Sequence, residues 1–354
     1  MKRASFAAIS IVLLAAAAMA AVAFAQDLPK LNVKAIGLNS NTVASDIDEK
    51  TFWTKTVPAA SKGQITADWV PVDQSGIKDF QIARIAKLGV TDFAASDISK
   101  LAGDDPRFEG CDLAGLALDI QTARKACEAW KAVMGRSMER FGARLLSVGT
   151  NPPQVFWCRM PISGLADLRG KKVRVFNKTM TDFIQAVGGT TVTLPFGEVV
   201  PALQRGVVDC AVTGTLSGNT AGWPEVTSHI YPLYMGWSIN AESVALPAWN
   251  KWDGRVQKFF LEQFARLQDQ MWKTGAEATA EADNCNVGKD PCKLGKKARM
   301  TIVPVSAADK KLHRELMESV VLLNFGKRCG KDCAREWNET VGKVVNLRIP
   351  IDKI

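Results

Sequence analysis

The sequence predicts an α/β protein of two domains with mostly parallel sheets. Three observations point there. Strand patterns alternate with helical ones through the first half of the chain, the order that builds parallel sheets. A helix–glycine–strand junction occurs twice, at Lys87-Leu88-Gly89-Val90-Thr91-Asp92 and at Gln204-Arg205-Gly206-Val207-Val208-Asp209, about 117 residues apart. The length, 354 residues, suits two domains with a core each.

The elements follow in order. Residues 1–25 join a basic start (Lys2, Arg3), an apolar run from Phe6 to Phe24 and an Ala23-Phe24-Ala25 cleavage pattern. They read as a secretory signal peptide, with the mature chain beginning at Gln26. LNVKAIG (31–37) is a strand leading into a polar turn, and 44–60 is helical. ITADWVPV (65–72) is a second strand, Ile77 to Leu88 a helix stopped by Gly89, and VTDFAAS (90–96) a third strand. From Pro161 to Cys210 the chain runs through a turn at Arg169-Gly170-Lys171, a strand around Val173, Val175 and Phe176, a helix, the segment PFGEVVPALQRG and the strand VVDCAV. Trp249 to about Ala280 is one long helix, with Val256, Phe259, Phe260, Phe264, Leu267 and Met271 at helical spacing as its core stripe.

Composition narrows the function. Without Lys2 and Arg3 the chain carries 43 basic and 36 acidic side chains, a formal charge of +7 spread along its length. That is a solvated surface with no nucleic-acid arm. No segment beyond the leader is apolar enough to span a bilayer. Eight cysteines in an exported chain read as disulfides. Cys285 and Cys292 enclose the turn-rich NVGKDP, and Cys329 and Cys333 enclose GKD, which requires a loop or a helix start between them. Cys111 with Cys127 and Cys158 with Cys210 are the further pairs expected. The C-x6-C and C-x3-C spacings do not match zinc knuckles, so no metal or other cofactor is expected. Only His229 and His313 occur, and G-x-S-x-G, H-E-x-x-H and P-loop patterns are absent. The chain does not read as an enzyme. A secreted hydrolase using carboxylates alone is the alternative from a different class.

One residue stands against its surroundings. Arg174 lies inside an apolar strand, where a guanidinium is kept only if an anion meets it, and that anion is read as the ligand. The structural alternative is an internal pair with Asp182 or Glu198.

The block carrying Arg174 resembles the solute-binding component of TRAP transporters, the tripartite ATP-independent periplasmic uptake systems. The pattern P-I, D-L-x-G-x-K-x-R, then F-x-E-x-x-x-A-L-Q-x-G-V-V-D is matched between residues 161 and 209. Outside it the agreement is looser but collinear. Two departures stand out. Cys210 occupies a position where the family commonly has Gly, and Gln154 stands where some members carry a second arginine.

The resemblance implies a two-domain periplasmic binding-protein fold, with hinge strands crossing near Thr150 and Ile239 and a long domain-spanning helix. Residues 26–150 plus 240–280 would form domain I, and 151–239 plus 281–354 domain II. It implies a monomer that captures a small organic acid and delivers it to TRAP membrane permease subunits. Arg174 is assigned to the ligand carboxylate. Phe176, Asn177, Phe196, Thr213, Asn240, Asn39, Asp97, Gln154 and Trp157 are the other expected pocket residues. A lone arginine points to a monocarboxylate with a sizeable apolar or aromatic body, walled by Phe176, Phe196 and Trp157 or Trp237. A binding protein of an ATP-driven importer or of a sensor is the nearer alternative.

Overall fold

The computed structural model describes residues 28–78 and 81–354; the expected signal peptide lies outside them. Among the described residues eleven strands form two sheets. The first contains β1 (Leu31–Gly37), β2 (Ile65–Pro71), β3 (Phe93–Asp97), β4 (Ala143–Thr150) and β10 (Ile239–Ala245), in the order β2-β1-β3-β10-β4. The second contains β5 (Gln154–Cys158), β6 (Lys172–Val175), β7 (Thr190–Thr193), β8 (Cys210–Gly214), β9 (His229–Tyr231) and β11 (Thr301–Ile302), in the order β11-β9-β5-β8-β6-β7. Strands β3, β5, β8 and β10 are buried along their whole length, because helices cover both faces.

Both sheets are mixed, with parallel pairings the more numerous: among the described residues five of the nine strand pairings are parallel and four antiparallel. β1 runs parallel to β2 and β3, and β6 parallel to β7 and β8. β10 is antiparallel to both β3 and β4, and β5 to both β8 and β9. The reason is the path. β4 leads through residues 151–153 into β5 of the other sheet, and β10 brings the chain back. Neither crossing strand is placed by a crossover helix, the device a parallel neighbour needs.

Short helices and glycine stops join the parallel strands. Helix α1 (Ile82–Lys87) precedes β3 and helix α4 (Val199–Gln204) precedes β8; the chain turns after them at Gly89 (φ 69°) and Gly206 (φ 73°), the left-handed region that glycine enters without a Cβ clash. Residues 44–60 are helical, wound in wide π-type turns over Ala44–Glu49 and Phe52–Thr56. Helix α2 (Ile120–Arg140) buries Ala123, Ala126, Trp130, Val133 and Met134.

The long helix begins later than its apolar stripe suggested. Leu246–Trp249 is a separate turn, and helix α5 runs Gly254–Val287. Asp253 sets its start by accepting from the amides of Arg255 and Val256, and Gly288 (φ 78°) ends it. Its face of Phe259, Phe260, Phe264, Leu267 and Met271 is buried. Gly149 on β4 lets Met271 approach so closely that a Cβ there would stand 2.6 Å from the methionine.

The C-terminal helices α6 (Ala307–Leu316), α7 (Leu322–Cys329) and α8 (Lys331–Glu339) share a core with α2 and with α3 (Lys178–Ala186). The cysteines are paired Cys111–Cys127, Cys158–Cys210, Cys285–Cys292 and Cys329–Cys333. Cys158 and Cys210 are register partners on β5 and β8, which accounts for a cysteine where the family pattern has Gly. Gly330 (φ 83°) separates α7 from α8, so Cys329 and Cys333 lie on different helices.

Candidate functional site

A cavity of about 50 Å³ lies between the two sheets. It sits beyond the carboxyl ends of β1, β2, β3, β6 and β8, where open α/β sheets gather polar loops and backbone donors. The first sheet contributes Asn39 and Thr42 from the turn after β1, Val72 after β2, and Ser96, Asp97 and Lys100 from the end of β3 and the turn after it. The second contributes Gln154, Arg174, Phe176, Phe196, Thr213 and Ser217. Asn151, Ser238 and Asn240 come from the two crossings.

Arg174 is 1% exposed. The extended backbone of β6 directs Val173 and Val175 into the core and turns Arg174 to the opposite face. Its Nε and Nη2 donate to the Leu194 carbonyl at 3.1 and 2.8 Å, and its Nη1 to the Val212 carbonyl at 2.9 Å. The guanidinium carbon lies 5.3 Å from the centre of the Phe176 ring, a cation–π contact. Two carbonyls and a ring thus fix the plane of the guanidinium on the cavity wall.

Across the cavity, Asp97 is held inside its own network. Its carboxylate accepts from the amide and hydroxyl of Ser99 (3.1 and 2.7 Å) and from the Ser238 hydroxyl. Asp112 lies behind that network and accepts from the amide of Trp237 at 2.8 Å. Burial pushes its carboxyl up to about 7, with the nearby Asp97 adding to the rise and backbone amides opposing it. Gln154 donates to the Pro152 carbonyl at 2.9 Å. Asn151 donates to Asn240 Oδ1 at 3.2 Å. Among the described residues, Asn151 Oδ1, Ser217 Oγ and Asn240 Nδ2 are buried lining atoms with no hydrogen-bond partner.

A second buried network backs the first sheet. Glu49 accepts from the Leu38 amide at 2.7 Å and shares a hydrogen bond with Glu242. Burial, reinforced by the neighbouring carboxylate, holds Glu49 well above its ordinary range. Burial raises Glu242 to about 7, against the bond from Glu49. No group of three or more His, Cys, Asp or Glu side chains among the described residues is arranged to hold a metal.

Arg174, Phe176, Phe196, Thr213, Asn240, Asn39, Asp97 and Gln154 thus line one cavity. Two expected residues do not. Asn177 caps α3, accepting from the Met180 amide at 2.9 Å, and reaches Ser99 Oγ at 3.3 Å. Trp157 is fully buried and stands edge-on to Trp223 at 6.0 Å, and Trp223 in turn stacks on Phe196 at 5.8 Å. It lies a ring layer behind the wall because both faces of β5 are covered. Trp237 also points away, donating its indole N–H to the Ala117 carbonyl. Sequence reading missed Lys100, Asn151, Ser217 and Ser238, which occupy turns where polar residues are ordinary. The one available signal was their place beside strand ends, Lys100, Asn151 and Ser217 soon after β3, β4 and β8 and Ser238 directly before β10.

Residues 41–326 match the model of the family of bacterial extracellular solute-binding proteins, family 7, known as DctP. The chain belongs to that family. An uncharacterized protein of Haemophilus influenzae is 25% identical over 261 residues, 73% of this chain and 78% of the relative. The fold matches DctP7 of Bordetella pertussis, an extracytoplasmic solute receptor binding pyroglutamic acid, with TM-score 0.78 at 18% identity over 88% of this chain and 99% of that one. It also matches a TRAP periplasmic solute-binding protein of Shewanella oneidensis with bound succinate, with TM-score 0.76 at 22% identity over 88% and 98%. The TRAP resemblance read from residues 161–209 therefore extends to the fold. Among the described residues no helix is long and apolar enough to cross a membrane.

Proposed function

We propose that this protein is the periplasmic receptor of a TRAP transporter. It takes a small organic acid into the cavity between its sheets, closes over it, and presents it to the membrane permease subunits. Residues 26–150 with 240–280 and residues 151–239 with 281–354 move as the two lobes. The observation that carries this reading is the place of Arg174, a buried cation of fixed orientation on the cavity wall. A carboxylate meets a guanidinium with two parallel bonds, and exclusion of water on closure strengthens the attraction. The role is capture, without catalysis. Pyroglutamic acid and succinate in two proteins of the same fold agree with a small carboxylate.

The cavity favours a compact, polar acid over the bulky apolar body expected from the sequence. Phe176 and Phe196 remain as apolar walls, but Trp157 and Trp237 stand elsewhere, and polar side chains make up most of the lining. Native mass spectrometry of protein purified gently from the periplasm tests the reading. One small carboxylic acid released per chain is the expected result. A neutral or cationic molecule in its place overturns it.

A further inference from the structure

Two asparagines on the crossing segments form an unfinished hydrogen-bond circuit. Asn151 follows β4, and Asn240 is the second residue of β10; the strands that carry them are paired. Asn151 Nδ2 donates to Asn240 Oδ1 at 3.2 Å. The remaining atoms, Asn151 Oδ1 and Asn240 Nδ2, are buried without a partner among the described residues, and both side chains line the cavity. Asn240 is fully buried and Asn151 is 7% exposed. Exchanging oxygen and nitrogen in both amides leaves the same inventory, one acceptor and one donor. Leaving two such atoms unmet in a buried wall is costly.

We propose that the Asn151–Asn240 pair selects acids that carry an amide, either a lactam or a carboxamide, beside the carboxylate. An amide offers one N–H and one C=O from adjacent atoms in a plane. It closes the circuit head to tail, as a third carboxamide, while the carboxylate lies on Arg174. A ketone or an ester supplies only the acceptor and leaves Asn151 Oδ1 unmet. A di-acid at neutral pH supplies no donor. The inference rests on the receptor reading above and adds the chemical class of its ligand.

Succinamate and levulinate test it, because they have the same skeleton and differ by NH₂ against CH₃. Calorimetry on the full mature chain, freed of co-purified ligand, is expected to show succinamate binding about tenfold or more tightly than levulinate, the effect of one unmet buried partner. In Asn151→Leu that ratio falls toward one, with circular dichroism checking the fold; retention of the wild-type ratio overturns the assignment to this pair. Equal binding of the two probes to the wild-type protein, as expected if internal water satisfies both atoms, overturns the amide class. So does 4-hydroxybutanoate binding as tightly as succinamate. Failure of every probe to bind also overturns it. The receptor reading stands or falls separately, on whether mass spectrometry finds an acid of any kind.

Discussion

Arg174 was legible from sequence because a guanidinium amid Val173, Val175 and Phe176 has few explanations, and the structure places it on a cavity wall. Trp157 was not, because β5 is covered on both faces and its alternation carries no sign of which face meets the cavity. The carboxyl pair Glu49–Glu242 was invisible for another reason. The residues are far apart in sequence, and only the tertiary fold brings their carboxyls together. Burial raises Glu242 from its ordinary 4.5 to about 7, so between those values the folded state holds a proton that the unfolded chain has released. The associated stability is complete below about pH 4.5 and is lost as the pH rises through about 7. Glu109, raised by burial to about 7, and Asp112 act in the same direction. Melting temperature should therefore decline from pH 5 to pH 8, and Glu242→Gln should make that decline shallower. A variant with the wild-type slope would show that the pair does not hold the proton.

Among the elements, helix stops and strand order were readable from local chemistry. Gly89 and Gly206 both adopt the left-handed conformation that the repeated junction called for. The start of α5 was misjudged because Trp249 and Val256 fit one apolar face, while Asp253 supplies a stronger local signal by capping Arg255 and Val256. The antiparallel crossing strands could not be read at all, since direction depends on which sheet the chain re-enters. Gly288 tests the helix end. Its φ is 78°, and a Cβ there would stand 2.8 Å from the Ala298 carbonyl oxygen. Gly288→Ala should lower unfolding stability by about 1–2 kcal/mol, the cost of a left-handed alanine, with the clash adding to it. Denaturant titration checks this, and an unchanged midpoint would contradict it.

For the whole molecule, one core cluster includes Ile36 and Val148 near the first sheet and Phe156 and Val212 in the second. The proposed lobes are thus joined by packing as well as by chain crossings, and the proposed closure would be a hinge motion restricted by that shared core. The cavity lining comes from both sheets and from both crossings, so an acid bound there would touch both proposed lobes. Small-angle scattering should show the radius of gyration falling when the co-purified acid is returned to ligand-free protein; identical curves would argue against lobe movement. The account turns on the charge that meets the acid. Calorimetric titration of that acid into Arg174→Lys and Arg174→Ala measures it most directly. Lysine should weaken binding by roughly 1.5–3 kcal/mol, because it keeps the charge but loses the planar fork. Alanine should weaken it further, with the fold retained. Binding of Arg174→Ala as tight as wild type would contradict the account.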